Sequence, residues 1–276
     1  IIQILAQMGI RKVRITCGEP LVRPNVPHLV RRIADIPGIE ELAMTTNGVL
    51  LAENARILKE SGLSSLNISL DTLRPDRFER IALRNDFARV RAGIDAAIEA
   101  RFSTLKLNVV VMAGVNGDEI ADFVEFVSDK PLCVRFIEYM PFRANRWDKG
   151  RFLACESMKS LVAEKYRLHP VLPGLESGQA AREYRIDGFL GTVGFIASMS
   201  DHFCARCNRL RLTADGALKT CLFFRPEISL RDALRQGASD ERIASLIRYT
   251  LRAKRPCHPA LDEINAEENQ SMLEIG

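Results

Sequence analysis

Glu41-Leu-Ala-Met-Thr-Thr-Asn-Gly48, followed by Ala52-Glu-Asn-Ala-Arg-Ile-Leu-Lys-Glu-Ser61, is a short β-rich run that breaks at Asn-Gly and passes into an amphipathic helical segment. The same unit recurs on either side. β-rich runs stand at Lys12–Thr16, Ser65–Leu70, Leu105–Met112 and Leu132–Glu138, and helical stretches near Pro27–Ile36, Phe87–Ala100 and Asp118–Val127 carry apolar residues at three- and four-residue spacing. A chain that alternates β and α in this way builds a parallel sheet with helices over it, so the fold class is α/β.

Residues able to do chemistry recur where each strand should end: Cys17-Gly18-Glu19, Thr45-Thr46-Asn47, Ser69 with Asp71, Lys106 with Asn108, and Glu138-Tyr139-Met140. Singly, Thr, Asn and Asp at such places serve as helix caps. Five strand ends in a row pointing polar groups the same way suggest a barrel with its site at the carboxyl ends. After Pro141 the rhythm changes to an irregular stretch, a helix near Ser157–Tyr166, short strands through Ser198, and helices around Leu230–Gln236 and Asp240–Ala253. Two domains are expected, 1–143 and 144–276.

Composition bounds the function. The 276 residues include 39 basic and 35 acidic ones for a net charge of +4, too mild and dispersed for nucleic acid and suited to a small anionic ligand. No apolar run is long enough to span a bilayer. Seven cysteines, an odd number in a chain too large to need disulfide staples, favour a reducing compartment. Cys133 and Cys155 lie in apolar runs and read as small buried hydrophobes.

The strongest local signal is Phe203-Cys204-Ala-Arg-Cys207-Asn-Arg209-Leu210-Arg211-Leu-Thr-Ala-Asp215-Gly216-Ala-Leu-Lys-Thr-Cys221. Asp215-Gly216 between β-like runs signals a type I′ hairpin. Pairing the strands about that turn sets Leu210 opposite Cys221 and brings the third sulfur within about 10 Å of Cys207, at a rise of about 3.3 Å per residue. Three thiolates suit a structural zinc ion if His202 or His258 supplies a fourth ligand, or a [4Fe–4S] cluster with one iron left open. Arg209 and Arg211, two apart on one strand, project from one face beside that centre, a pair of forks suited to phosphate or a purine edge.

At these residues the sequence resembles the GTP 3′,8-cyclase family of radical S-adenosylmethionine enzymes, which opens molybdenum-cofactor synthesis. The resemblance rests on the cysteine motif with Asn208-Arg-Leu-Arg211, on Val13-Arg-Ile-Thr-Cys-Gly-Glu-Pro-Leu-Val-Arg23, and on Thr45-Thr-Asn-Gly48, Asn67-Ile-Ser-Leu-Asp71 and Arg135-Phe-Ile-Glu-Tyr-Met-Pro141. It implies an incomplete TIM-type barrel closed by a C-terminal α+β cluster-binding domain. It further implies that Gly18, Ser69 and Met140 contact S-adenosylmethionine, that Arg14, Thr45, Lys106, Arg209, Leu210 and Arg211 hold GTP, and that Cys204, Cys207 and Cys221 ligate a [4Fe–4S] cluster. In the family a radical made from S-adenosylmethionine takes the 3′ hydrogen of GTP, and the ribose radical adds to C8 of guanine. Implied partners are GTP, an electron-donor protein, the cyclic pyranopterin monophosphate synthase that uses the product, and a second copy in a homodimer. Neither nucleic acid nor membrane is among them. The implied compartment is cytoplasmic, or the mitochondrial matrix in a eukaryote.

Three departures accompany the resemblance. The family's C-x₃-C-x₂-C, which holds a second, radical-initiating [4Fe–4S] cluster, is absent, so the sequence reads as a truncated form whose first barrel strand is missing and which should not cleave S-adenosylmethionine alone. Cys17 stands where the family has the first glycine of Gly-Gly-Glu-Pro, and the chain ends on a single Gly276 where the family has two. The competing readings are a non-catalytic iron–sulfur nucleotide-binding fragment and a radical enzyme acting on another substrate.

Overall fold

The structure, a computed structural model, describes residues 1–16, 18–143, 145, 147–172, 180–259 and 264. Cys17 and the terminal glycine lie outside the described residues. Strands β1 (Lys12–Ile15), β2 (Glu41–Thr46), β3 (Ser65–Ser69), β4 (Thr104–Val111), β5 (Cys133–Glu138), β6 (Leu168–Pro170), β7 (Arg182–Ile186) and β8 (Thr192–Ile196) form one eight-stranded sheet in the order β1-β2-β3-β4-β5-β8-β7-β6. Neighbours from β1 to β5 are parallel, as are β5 and β8, while β7 runs antiparallel to both β8 and β6. The sheet does not close among the described residues. It is the partial barrel expected from the βα repeat, extended by strands from beyond Pro141.

Helices α1 (Ile2–Gln7), α2 (Val26–Ala34), α3 (Leu51–Glu60), α4 (Pro75–Ala82), α5 (Phe87–Glu99), α6 (Ile120–Phe126) and α7 (Cys155–Ala163) precede the last two, α8 (Leu230–Arg235) and α9 (Asp240–Arg252). On β4 burial alternates strictly: Leu105, Leu107, Val109 and Val111 are buried, and Lys106, Asn108 and Val110 are half-buried. A period of two puts these sets on opposite faces. The first joins Val30, Leu51, Leu58, Ile94 and Phe123 in the main core, and the second lies on the other, more polar face.

A smaller core unites the two ends of the chain. Ile4 of α1 packs with Leu218, Leu230, Ile243 and Ile247, so the first helix of the sequence belongs to the body that carries the cysteine hairpin. That hairpin consists of β9 (Arg211–Leu212) and β10 (Ala217–Lys219), with β11 (Ile228–Ser229) on the far side of β10. Cys133 and Cys155 are buried, at 6% exposure each, Cys155 within the main core and Cys133 outside it, beside Lys106 and Arg135. Burial pushes the Cys133 thiol up to about 11.

Candidate functional site

Gly18, Ser69 and Met140 follow or end β1, β3 and β5, at the carboxyl edge of the parallel strands. Gly18 adopts φ +48 with nothing within 4 Å of the position a Cβ would take, so the backbone is left-handed and open to a ligand. Glu19 beside it joins two motifs. Its carboxylate accepts from Leu21 N–H at 3.0 Å, Thr46 Oγ1 at 2.7 Å and Asn47 N–H at 2.6 Å, fixing the Gly-Glu-Pro turn to Thr-Asn-Gly. Farther along the edge, Asp71 accepts from the Val110 amide at 2.8 Å, and burial raises its carboxyl to about 6.

The register carries the polar face across the sheet. Thr45 is level with Asn67, Asn67 with Lys106 and Lys106 with Cys133, so these side chains share one face. Asn67 donates to Thr45 Oγ1 at 3.3 Å, while its own side-chain oxygen is buried without a protein partner. Arg135, two residues on from Cys133, is 8% exposed and reaches Asn108 Oδ1 through Nε at 3.0 Å and Nη2 at 2.6 Å. Gly194 on the adjacent strand leaves that side chain its room: a Cβ there would lie 3.1 Å from Arg135 Cγ.

Arg14, Lys106, Arg135, Arg209 and Arg211 crowd this face closely enough to disturb one another. Burial lowers all five, and mutual repulsion adds to it: Arg209 on Arg14, Arg135 on Lys106, and Arg209 and Arg14 on Arg211. Arg135 falls to about 10, still protonated at neutral pH. Arg14 is exposed to solvent, with Arg209 and Glu41 near enough to act on it. Glu41 and Glu183 offset the repulsion only in part, at Arg14 and at Lys106 and Arg135 respectively. Desolvated cations that repel one another are stabilised by an anion of several charges. Sequence reading named four of the five and missed Arg135, although an arginine inside the apolar run Cys133–Glu138 was a visible signal.

The hairpin differs from expectation. Leu212 is level with Leu218 and Arg211 with Lys219, one residue out from pairing Leu210 with Cys221. The turn is not type I′, because Asp215 does not have positive φ. The Gly216 amide bonds Thr213 O at 2.9 Å and Gly216 alone is left-handed, at φ +82. This is a three-residue loop with a glycine bulge, for which Asp-Gly is equally suited.

Cys204, Cys207 and Cys221 are free and half-buried, and Cys207 and Cys221 both stand near enough to Cys204 to act on it: burial raises the Cys204 thiol, the His258 amide lowers it, and charge on Cys221, Cys207 or Cys257 raises it further. Among the described residues no three His, Cys, Asp or Glu side chains are already grouped to hold a single metal ion. His258 is a poor fourth ligand, since its ring nitrogens lie 3.0 Å from Ser198 O and 2.6 Å from Pro259 O. Lys254, which no motif singles out, reaches Cys207 Sγ at 3.6 Å. Three free thiols on one loop and hairpin, with the Lys254 ammonium beside Cys207 Sγ, are the soft sulfur donors that an iron–sulfur cluster takes.

Residues 1–127 match the model of the Radical SAM superfamily and residues 132–260 that of Molybdenum Cofactor Synthesis C. The GTP 3′,8-cyclase of Heliobacterium modesticaldum is 47% identical over all of this chain and 85% of its own length. The mitochondrial GTP 3′,8-cyclase of Arabidopsis thaliana is 43% identical over 97% of this chain and 68% of its own. SuiB of Streptococcus suis, 14% identical with a TM-score of 0.57 over 99% of this chain and 69% of that one, shares the fold. Matched by such relatives along nearly its whole length, the chain belongs to the GTP 3′,8-cyclase family of radical SAM proteins.

Proposed function

We propose that this chain binds GTP on the polar face of its sheet and supplies the substrate-holding part of the radical cyclisation of GTP to 3′,8-cyclo-7,8-dihydro-GTP, the first step of molybdenum-cofactor synthesis. The observation that carries the reading is the crowding of Arg14, Lys106, Arg135, Arg209 and Arg211 into one partly desolvated cluster. A triphosphate relieves that repulsion and satisfies guanidinium forks in pairs. Thr45 and Leu210 complete the nucleotide's surroundings.

Cys204, Cys207 and Cys221 would hold a [4Fe–4S] cluster beside the arginines, where it would bind part of the substrate. Gly18, Ser69 and Met140 would hold S-adenosylmethionine at the strand ends. S-adenosylmethionine at the family's initiating cluster, whose C-x₃-C-x₂-C ligands are not in this sequence, would supply the radical that takes a hydrogen from the ribose. The residues of this chain fix the triphosphate so that the 3′ carbon and C8 of one GTP stay within bonding reach, the positional part of catalysis. The remaining partners are an electron donor and an enzyme that consumes the cyclised nucleotide. No helix among the described residues is long and apolar enough to cross a membrane, and a compartment that holds GTP, the cytoplasm or the mitochondrial matrix, suits the reading.

Calorimetric titration of GTP into the anaerobically reconstituted chain tests it. Arg209→Ala and Arg211→Ala should each weaken binding at least about tenfold, the equivalent of about 1.4 kcal/mol for one charge-assisted contact. Unchanged affinity in both would point to another substrate and remove the proposal.

A further inference from the structure

Lys254 is held by a rigid element. It follows α9, whose Ile243, Ala244, Ile247 and Thr250 are buried in the smaller core, and its amide closes the helix on Leu251 O at 3.2 Å. An ammonium has three donors. All of those seen here go to the cysteine loop: Cys207 O at 2.8 Å, Arg209 O at 3.2 Å and Cys207 Sγ at 3.6 Å. A solvated surface lysine has no such set of acceptors, and nothing in the nucleotide cluster requires this one.

We propose that Lys254 is a tuning residue, which raises the reduction potential of the cluster held by Cys204, Cys207 and Cys221 while pinning the loop that joins a cluster ligand to the nucleotide-binding Arg209. The inference rests on the cluster reading above. Reduction adds one electron to the cluster, with no bond made or broken in the protein. A fixed positive charge that also hydrogen-bonds a ligating sulfur stabilises the more negative, reduced state. Because the same ammonium holds the Arg209 carbonyl, the sulfur contact and the guanidinium's position depend on one group.

The test compares wild type, Lys254→Met and Lys254→Arg after anaerobic loading with iron and sulfide. Iron per chain is measured, and the cluster's midpoint potential is followed by electron paramagnetic resonance during reduction with dithionite. Lys254→Met should load like wild type with its midpoint shifted to more negative potential, and Lys254→Arg should stay near wild type. A methionine variant that loads fully and titrates as wild type overturns the tuning role and leaves the cluster reading intact. A wild-type chain that takes up no more iron than a Cys204→Ser, Cys207→Ser, Cys221→Ser triple variant overturns the cluster reading and the tuning role with it. Should Lys254→Met fail to load, the arginine variant decides: loading at the wild-type potential supports the charge, and failure shows a purely steric part.

Discussion

Gly194 makes the space that Arg135 occupies. A Cβ at that position would stand 3.1 Å from the arginine's Cγ and 3.4 Å from Glu183 Cγ, so a methyl there obliges the Arg135 stem to shift. Gly194→Ala should push the guanidinium off Asn108, at a cost of about 1–3 kcal/mol for overpacking. Weakening of GTP by about tenfold is expected, with Arg209 and Arg211 untouched. Calorimetry on the variant checks this, and an affinity equal to wild type would show that Arg135 lies outside the nucleotide's reach.

Much of this arrangement was legible in the sequence, for reasons that also explain the misses. The β2–α3 unit announced itself because Leu42, Met44, Leu51, Ala55 and Leu58 repeat at the spacings of a strand and a helix. Helix α4 gave no such signal, since Phe78 is its one buried residue. Helix α1 is six residues long, and its reason to be helical is a core supplied by residues more than 200 positions away. Arg14, Lys106, Arg209 and Arg211 were found by motif, whereas Lys254 and Gly194 have roles set wholly by tertiary neighbours. The hairpin register was misjudged because one dipeptide serves two loop lengths.

Glu138 is fully buried and meets peptide donors in place of a cation. It accepts from the amides of Cys155 at 2.8 Å, Met199 at 2.7 Å and Ser200 at 3.0 Å, and from the Ser200 hydroxyl. The carboxylate thereby ties the end of β5, the start of α7 and the segment leading to Cys204. Glu138→Gln keeps the shape but turns an amino group toward donors. A loss of about 1–3 kcal/mol in urea unfolding is expected, as for other buried donors left unpaired. Hydrogen exchange at Met199 and Ser200 should quicken before that of β2 or β3, and uniform exchange would sink the local reading.

Ile4 tests whether α1 belongs to the cysteine-bearing body. It is 5% exposed and packs with Leu218, Leu230, Ile243 and Ile247. Ile4→Ala should cost about 2–5 kcal/mol. Because the cavity opens in the smaller core, alkylation of Cys204, Cys207 and Cys221 in the metal-free chain should accelerate while that of Cys133 stays slow. Equal acceleration at Cys133 would mean that the two cores unfold as one.

Asp71 should make stability depend on pH in a direction opposite to that of most carboxylates. Burial raises its folded-state value to about 6 from an ordinary 3.8, against the pull of the Val110 amide. Between those values the folded chain keeps a proton that the unfolded chain has released, so Asp71's contribution is greatest below the lower value and declines as pH rises toward the upper one. At about 1.36 kcal/mol per unit the decline is at most about 3 kcal/mol, and partial exposure of the residue brings it below that ceiling. Asp71→Asn retains an oxygen for the Val110 amide and removes the titration. Urea midpoints taken from about pH 4 to about pH 7 should therefore show the variant matching wild type at the acid end and exceeding it at neutrality. A difference between the two chains that stays constant with pH would show that Asp71 ionises as freely in the folded protein as in the unfolded one.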